Sequence, residues 1–210
     1  MPIFIKNDFS ILYIHVPKTG GGTVLQMFKE NGFTVHYCDT SNITAGFNSY
    51  RRCSPQHYHA DLLSATLRLE RFDYAFMSVR EPINRLKSEF LWRCYENGTK
   101  EIDPNAWARH IFSRYRDDPF ILDNHIRPQH EFIMRSVDVF KYEEMFTNDW
   151  YNQLSKKIGL TIKKPSRSLH VSKDYSSRKV SNIEFDPSIS KKIIDFYEID
   201  FSEFGYVHRK

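Results

Sequence analysis

Apolar residues in this chain fall into short runs separated by glycine, proline and polar segments. Ile11-Leu12-Tyr13-Ile14-His15-Val16, rich in β-branched residues and closed by Pro17, reads as a buried strand. Lys18 to Thr23 is a glycine-rich turn, and from Val24 to Asn31 apolar residues recur on one helical face, with Gly32 placed as a stop. A second strand is predicted over Phe33–Tyr37, a polar loop over 39–55 and a helix over Gln56–Arg71. Tyr74–Val79 is another buried strand, and Glu81-Pro82 opens a helix that runs to about Glu96 and stops at Asn97-Gly98. A weaker helix covers 104–115, a strand Val137–Tyr142, a helix Glu143–Ile158 and a last helix Pro187 to about Tyr197. Strands alternating with helices predict parallel β-α units and an α/β sandwich. No internal repeat stands out.

Size and composition narrow this picture without redirecting it. With 210 residues and aromatic residues spread along the whole chain, a single domain over 1–210 is expected. No apolar run approaches the length of a membrane span. The segment Met1–Lys6 does not have the pattern of a secretory signal, so a cytoplasmic location is expected. Cys38, Cys53 and Cys94 are odd in number and widely spaced, which points to free thiols in a reducing compartment. The net charge of +4 is no argument for a nucleic-acid partner. The basic residues are uneven, however. Lys163, Lys164, Arg167, Lys173, Arg178 and Lys179 face only Asp174 in that stretch, which is either a solvated loop or a flap over a polyanionic ligand.

The segment His15-Val16-Pro17-Lys18-Thr19-Gly20-Gly21-Gly22-Thr23 carries the clearest chemistry. Glycines let backbone N–H groups approach an anion closely, and the helix that follows turns its positive end toward the same point. Lys18 adds a full charge, and Thr19 and Thr23 add hydroxyls. Together these make a phosphate or sulfate cradle. It is not a Walker A loop, because Lys18 precedes the glycines rather than following them.

Pro-Lys-Thr-Gly-Gly followed by Thr resembles the 5′-phosphosulfate loop of the sulfotransferases that use 3′-phosphoadenosine-5′-phosphosulfate (PAPS), most nearly the carbohydrate enzymes of the heparan sulfate 2-O, 6-O and chondroitin types. The resemblance suggests a small bacterial-type member with a three-layer α/β/α sandwich, a central parallel sheet and a P-loop-NTPase-like fold. Lys18, Thr19, Gly20, Gly21, Gly22 and Thr23 would hold the donor. The family pattern has Thr directly after two glycines, whereas this chain has Gly22 there and Thr23 one place later.

A second segment, Arg80-Glu81-Pro82-Ile83-Asn84-Arg85-Leu86-Lys87-Ser88, follows a strand, where the crevice of an open α/β sheet lies. Arginine offers a planar fork to a phosphate and serine a hydroxyl. The segment resembles the family's 3′-phosphate motif, which implies that Arg80 and Ser88 bind that group. Glu81 stands where Asp is usual, and Arg85 reads rather as a surface or buried ion pair. In the basic stretch, His170-Val171-Ser172-Lys173 resembles a family Asn-x-Ser-Lys segment, so Ser172 and Lys173 would close over the 3′-phosphate or adenine.

Among nine histidines, His57 and His59 in Gln56-His57-Tyr58-His59-Ala60-Asp61 are the informative pair. A hydroxyl nucleophile needs a base near neutral pH, the usual work of histidine. The segment resembles family stretches that place the catalytic base at His59, with His57 orienting it or meeting the acceptor. A structural pair is the alternative. A zinc site from Cys53, His57 and His59 lacks a complementary ligand pair, so no metal is expected. Asn124-His125-Ile126-Arg127-Pro128-Gln129 resembles a chondroitin-type segment, or else forms a helix-capping turn. Tyr58, Trp92, Tyr95 and Trp107 are candidates for stacking on sugars or for the core.

These residues point to in-line sulfuryl transfer from PAPS to an acceptor hydroxyl, with Lys18 neutralising the leaving group and 3′-phosphoadenosine-5′-phosphate (PAP) as product. The resemblance suggests a carbohydrate acceptor. A P-loop-type kinase and a non-catalytic anion-binding module are the competing classes.

Overall fold

The computed structural model describes residues 1–39, 46–96, 98, 102–166 and 182–207. Five strands form one sheet: β1 (Ile3–Lys6), β2 (Phe9–Ile14), β3 (Thr34–His36), β4 (Tyr74–Val79) and β5 (Asp138–Lys141), in the order β3-β1-β2-β4-β5. Among the described residues seven α-helices accompany them: α1 (Gly21–Glu30), α2 (Ala60–Thr66), α3 (Pro82–Glu96), α4 (Pro104–Asp117), α5 (Asn148–Ile158), α6 (Pro187–Phe196) and α7 (Glu198–Glu203).

The sheet is mixed, which corrects the expectation of a parallel one. β2, β4 and β5 run parallel, but β1 pairs antiparallel with both β2 and β3. The cause is a hairpin at the start of the chain. Asn7 adopts a left-handed φ of 52° and turns the chain back so that Lys6 pairs with Phe9.

Alternate residues of the central strands enter two different apolar clusters, as the period-two pleat requires. Ile11, Tyr13 and Phe76 pack with Val24, Met27 and Phe28 of α1 and Trp150, Leu154 and Ile158 of α5. Leu12, Ile14, Met77 and Val79 pack with Leu63 of α2, Phe132 and Phe204. A third cluster joins Leu86 of α3, Ile111 of α4, Ile189 and Ile193 of α6, and Phe201 of α7.

Three predicted boundaries move. The stretch Gln56–Arg71 is not one helix but two short 3₁₀ turns around α2, because Tyr58 and His59 are extended. The helix expected from Glu143 begins only at Asn148. Phe146 has φ 65°, and the Thr147 side chain caps the new start by accepting from the Trp150 N–H at 3.2 Å. The helix expected over 104–115 extends to Asp117, with Asp103 capping its start. Cys38, Cys53 and Cys94 are free thiols. Among the described residues no helix is long and apolar enough to cross a membrane.

Candidate active site

The glycine loop connects the end of β2 to α1 and is held from beneath by a chain of hydroxyls. The Tyr13 and Ser78 hydroxyls lie 2.6 Å apart, the Ser78 and Thr19 hydroxyls 2.7 Å apart, and Thr19 donates to the Val16 carbonyl at 2.7 Å. Burial pushes the Tyr13 phenol up to about 12, so it remains a donor. Thr19 therefore turns its hydroxyl into the protein and presents only its backbone to the cradle. The Thr23 side chain is buried in the first turn of α1.

The cradle itself is made of peptide groups. Gly20 is the N-cap of α1 at φ 90°, with no side-chain cap and no acidic residue in the first turn. The N–H groups of Lys18, Thr19, Gly20, Gly21 and Gly22 have no acceptor among the described residues. A helix start left in this state carries partial positive charge and unmet donors, as an anion requires.

Gly21 is constrained by contact as well. A Cβ there would overlap the His15 ring at Nε2. That ring lies parallel to Tyr13 at 5.5 Å between centroids and meets His57 edge-on at 5.1 Å. Gly21→Ala should cost about 1–3 kcal/mol through overpacking, and should weaken PAP binding. Adding His15→Ala should restore much of the stability. Denaturant unfolding of the single and double variants checks this, and equal losses in both would contradict it.

Lys18 adopts a left-handed φ of 70°, unusual without glycine, and its ammonium lies 4.8 Å from the centre of the Trp92 ring. Burial lowers its pKa to about 8, while Glu89 pulls it upward. Its carbonyl accepts from Arg80 Nη1 at 3.3 Å, so the two predicted donor-binding cations are neighbours. The Arg80 peptide is clamped by the Gln129 side chain in both directions, at 2.9 and 2.8 Å. The guanidinium covers Tyr142 at 4.5 Å. Ser88 is half-buried on α3, and its hydroxyl makes no hydrogen bond among the described residues.

Arg85 has no carboxylate partner among the described residues, contrary to the ion pair expected from sequence. It is 2% exposed and donates to two backbone carbonyls, Pro17 at 3.0 Å and His125 at 2.7 Å. Its Nη1 is buried and has no hydrogen-bond partner among the described residues.

Beside the loop stands a wall of histidines organised by a strained turn. Leu122, Asp123 and Asn124 have φ of 53°, 59° and 68°. Asp123 accepts from His57 Nδ1 at 2.7 Å, from the Ser54 hydroxyl at 2.6 Å and from the Ser54 N–H at 2.5 Å. Burial alone would raise its carboxyl, but the His57 hydrogen bond and neighbouring His57 and His125 hold it well below the carboxylate range. His125 donates from Nδ1 to Glu89 at 2.6 Å. Burial lowers its pKa to about 4 against the pull of Glu89, and its ring meets His57 edge-on at 4.7 Å.

His59 differs from these two. It precedes α2 and lies beside Asn124 Nδ2 at 3.4 Å. Arg127 Nε donates to the Asn124 oxygen at 2.7 Å, which fixes that amide so that its nitrogen faces His59. The same Nδ2 donates to the His57 carbonyl at 2.8 Å. Burial, then Arg127, lowers the pKa of His59. His57, Asp123 and His125 offer ligand atoms within 4.8 Å of one another. Both Asp123 oxygens already accept hydrogen bonds from Ser54 and His57.

The buried neutral His125 predicts acid lability. An unfolded histidine takes its proton near 6.5, and folded His125 only near 4. Its contribution is complete above the unfolded value and is lost as pH falls from there toward 4, up to about 3 kcal/mol. Urea unfolding at several pH values in this window should show it, and flat stability between pH 7 and 5 would contradict it.

A sulfotransferase family model matches residues 1–207. The chain belongs to the sulfotransferase family. Comparison with curated proteins and with solved structures gives no match.

In this sulfotransferase the fold brings the predicted glycine loop, Arg80 and the histidine segment together, with Asp123, Glu89 and His15 beside them, three residues to which the sequence reading gave no site role. The first two are acids whose partners lie far away in sequence, so no local spacing marks them. His15 directly precedes the loop in an apolar run, a polar residue where none is needed, and that was a usable signal. Ser172 and Lys173 lie outside the described residues, as does most of the basic stretch. Its described start is tied to the C-terminal end of α1, where Ser166 bonds Glu30 and Lys163 bonds Asn31. Trp107 packs against Phe90 and Tyr58 against the sheet cluster, while Trp92 pairs with the exposed Tyr95 at 5.8 Å.

Proposed function

We propose that this sulfotransferase moves a sulfuryl group from PAPS to a hydroxyl of a carbohydrate acceptor, on a three-layer α/β/α scaffold of the P-loop-like type. The observation that carries the reading is the uncapped start of α1, with its unmet N–H groups beside Lys18 and Arg80. PAPS supplies the activated sulfuryl group, and PAP is released. The loop N–H groups hold the 5′-phosphate and sulfuryl oxygens, Lys18 offsets the charge that grows on the leaving oxygen, and Arg80 and Ser88 receive the 3′-phosphate. Lys18 and the helix start supply positive charge without a metal.

The geometry favours exchanging the two histidine roles. Asp123 accepts a hydrogen bond from His57 Nδ1–H, which leaves a lone pair on Nε2, the arrangement of a base oriented by a carboxylate. The His59 ring has no carboxylate partner among the described residues, and its Nδ1 lies 3.4 Å from the Asn124 amide nitrogen. His57 is the base in this reading, and His59 steadies the turn or meets the acceptor.

Thermal stability with PAP and with ADP, each with and without magnesium, tests the donor. PAP at about 100 times its dissociation constant should add roughly 2.7 kcal/mol, or several degrees, without magnesium. Stabilisation by ADP with magnesium alone would move the assignment to a kinase.

A further inference from the structure

We infer that His125 is a second imidazole contacting the acceptor in the transfer site, and that Glu89 is its positioning residue. This rests on the reading of His57 as the base.

His125 repeats the arrangement of His57. Each has a carboxylate on Nδ1, at 2.6 and 2.7 Å, and the two rings meet edge-on at 4.7 Å. Each therefore keeps a lone pair on Nε2. Among the described residues neither Nε2 has a hydrogen-bond partner, and neither is among the buried unpaired polar atoms, which are Arg85 Nη1 and Trp150 Nε1. Two acceptor nitrogens are thus without a protein partner among the described residues, on rings whose centroids lie 4.7 Å apart.

The cost of building this arrangement argues against a merely structural role. Glu89 is 1% exposed, and its other oxygen is held by Arg93 Nε at 2.6 Å. Arg93 also donates to the Leu122 carbonyl at 3.1 Å, and Arg85 to the His125 carbonyl. Those two bonds already fasten the strained turn to α3. A buried ionised carboxylate adds little further anchoring, but it sets the tautomer of the imidazole. Arg85, Glu89 and Arg93 lie one turn apart on α3, and Arg85 also grips Pro17 of the glycine loop. One helix face thus spaces His125 from the donor cradle.

In the reaction, the acceptor O–H bond breaks as the new O–S bond forms, and the proton passes to His57 Nε2. The S–O bond to the nucleotide breaks, and its electron pair leaves on the phosphate. His125 stays neutral throughout, with Glu89, Arg93, His57 and Asp123 around it. Its lone pair accepts a hydrogen bond from the acceptor and aims the hydroxyl at His57. An acceptor suited to both nitrogens presents a second O–H or N–H donor beside the nucleophilic hydroxyl.

The test uses the full chain with isotope-labelled histidine. Nitrogen NMR at pH 6–8 should show His125 neutral with its proton on Nδ1, and Glu89→Gln should disturb that state while PAP binding persists. His125→Ala should lower PAP release from PAPS, with desulfated chondroitin as the acceptor probe, by roughly 100-fold. Glu89→Gln should lower it by about 10-fold, with the acceptor KM rising. An Nε2–H tautomer, a signal indifferent to Glu89→Gln, or wild-type turnover in His125→Ala would overturn the proposal. Failure of the wild type to bind PAP would instead sink the donor reading, and the tautomer measurement would still judge the dyad.

Discussion

Replacing Lys18 by alanine should reduce sulfuryl transfer by roughly 100- to 1000-fold, the scale for one preorganised charge at the reacting group. The ammonium lies over Trp92 next to the Arg80 clamp, and no second lysine stands in the loop to replace it. The fold should survive, because alanine retains the same backbone class at φ 70° and the hydroxyl chain beneath the loop does not involve Lys18. A pH signature accompanies the loss. In the free protein Lys18 gives up its proton near pH 8. A bound anion favours the charged form, so PAP binding takes up a proton above that value and weakens as pH rises through it. Calorimetry in buffers of different ionisation enthalpy should detect this uptake in the wild type and not in Lys18→Ala. Near-normal turnover in the variant would remove Lys18 from the reaction.

The second large effect separates the two histidines of the 57–59 segment. His57→Ala should lower kcat/KM for the acceptor by about 10²- to 10⁴-fold, the range for a general base, with PAP affinity retained. His59→Ala should cost less than tenfold by the same scale. Asp123→Asn should fall between them. An amide can still face Nδ1, but it no longer carries the charge that stabilises an imidazolium. A larger loss in His59→Ala than in His57→Ala would return the base role to His59.

The contrast between these two histidines shows where sequence reading stopped. Gln56-His57-Tyr58-His59 marked a place for the chemistry, and the family resemblance put the base at His59 with His57 orienting it. Their difference depends on Asp123, which accepts from the His57 ring, and on Asn124, which donates to the His57 carbonyl and lies beside the His59 ring. The Asp123–His57 pair spans 66 residues and the Glu89–His125 pair 36. A lone acid in a polar stretch has no local feature to announce such a partner. The turn that delivers them includes Leu122, a residue poorly suited to a left-handed φ, and it is held by bonds from α3. The hairpin β1–β2 was more accessible, since Ile3, Phe4 and Ile5 precede an Asn7-Asp8 turn and a strand.

What the sequence determined by itself was local. Backbone conformation and capping act between near neighbours, so the strand Tyr74–Val79 and the helix Pro82–Glu96 were legible with their boundaries. The strand–glycine–helix order around Lys18 was legible in the same way. Tertiary structure alone decided the protonation pattern of the site. It turned Thr19 inward, set Arg85 on two carbonyls, and gave His57 and His125 their carboxylates. Those outcomes depend on burial and on partners brought close by folding, because desolvation and charge act through space and not along the chain.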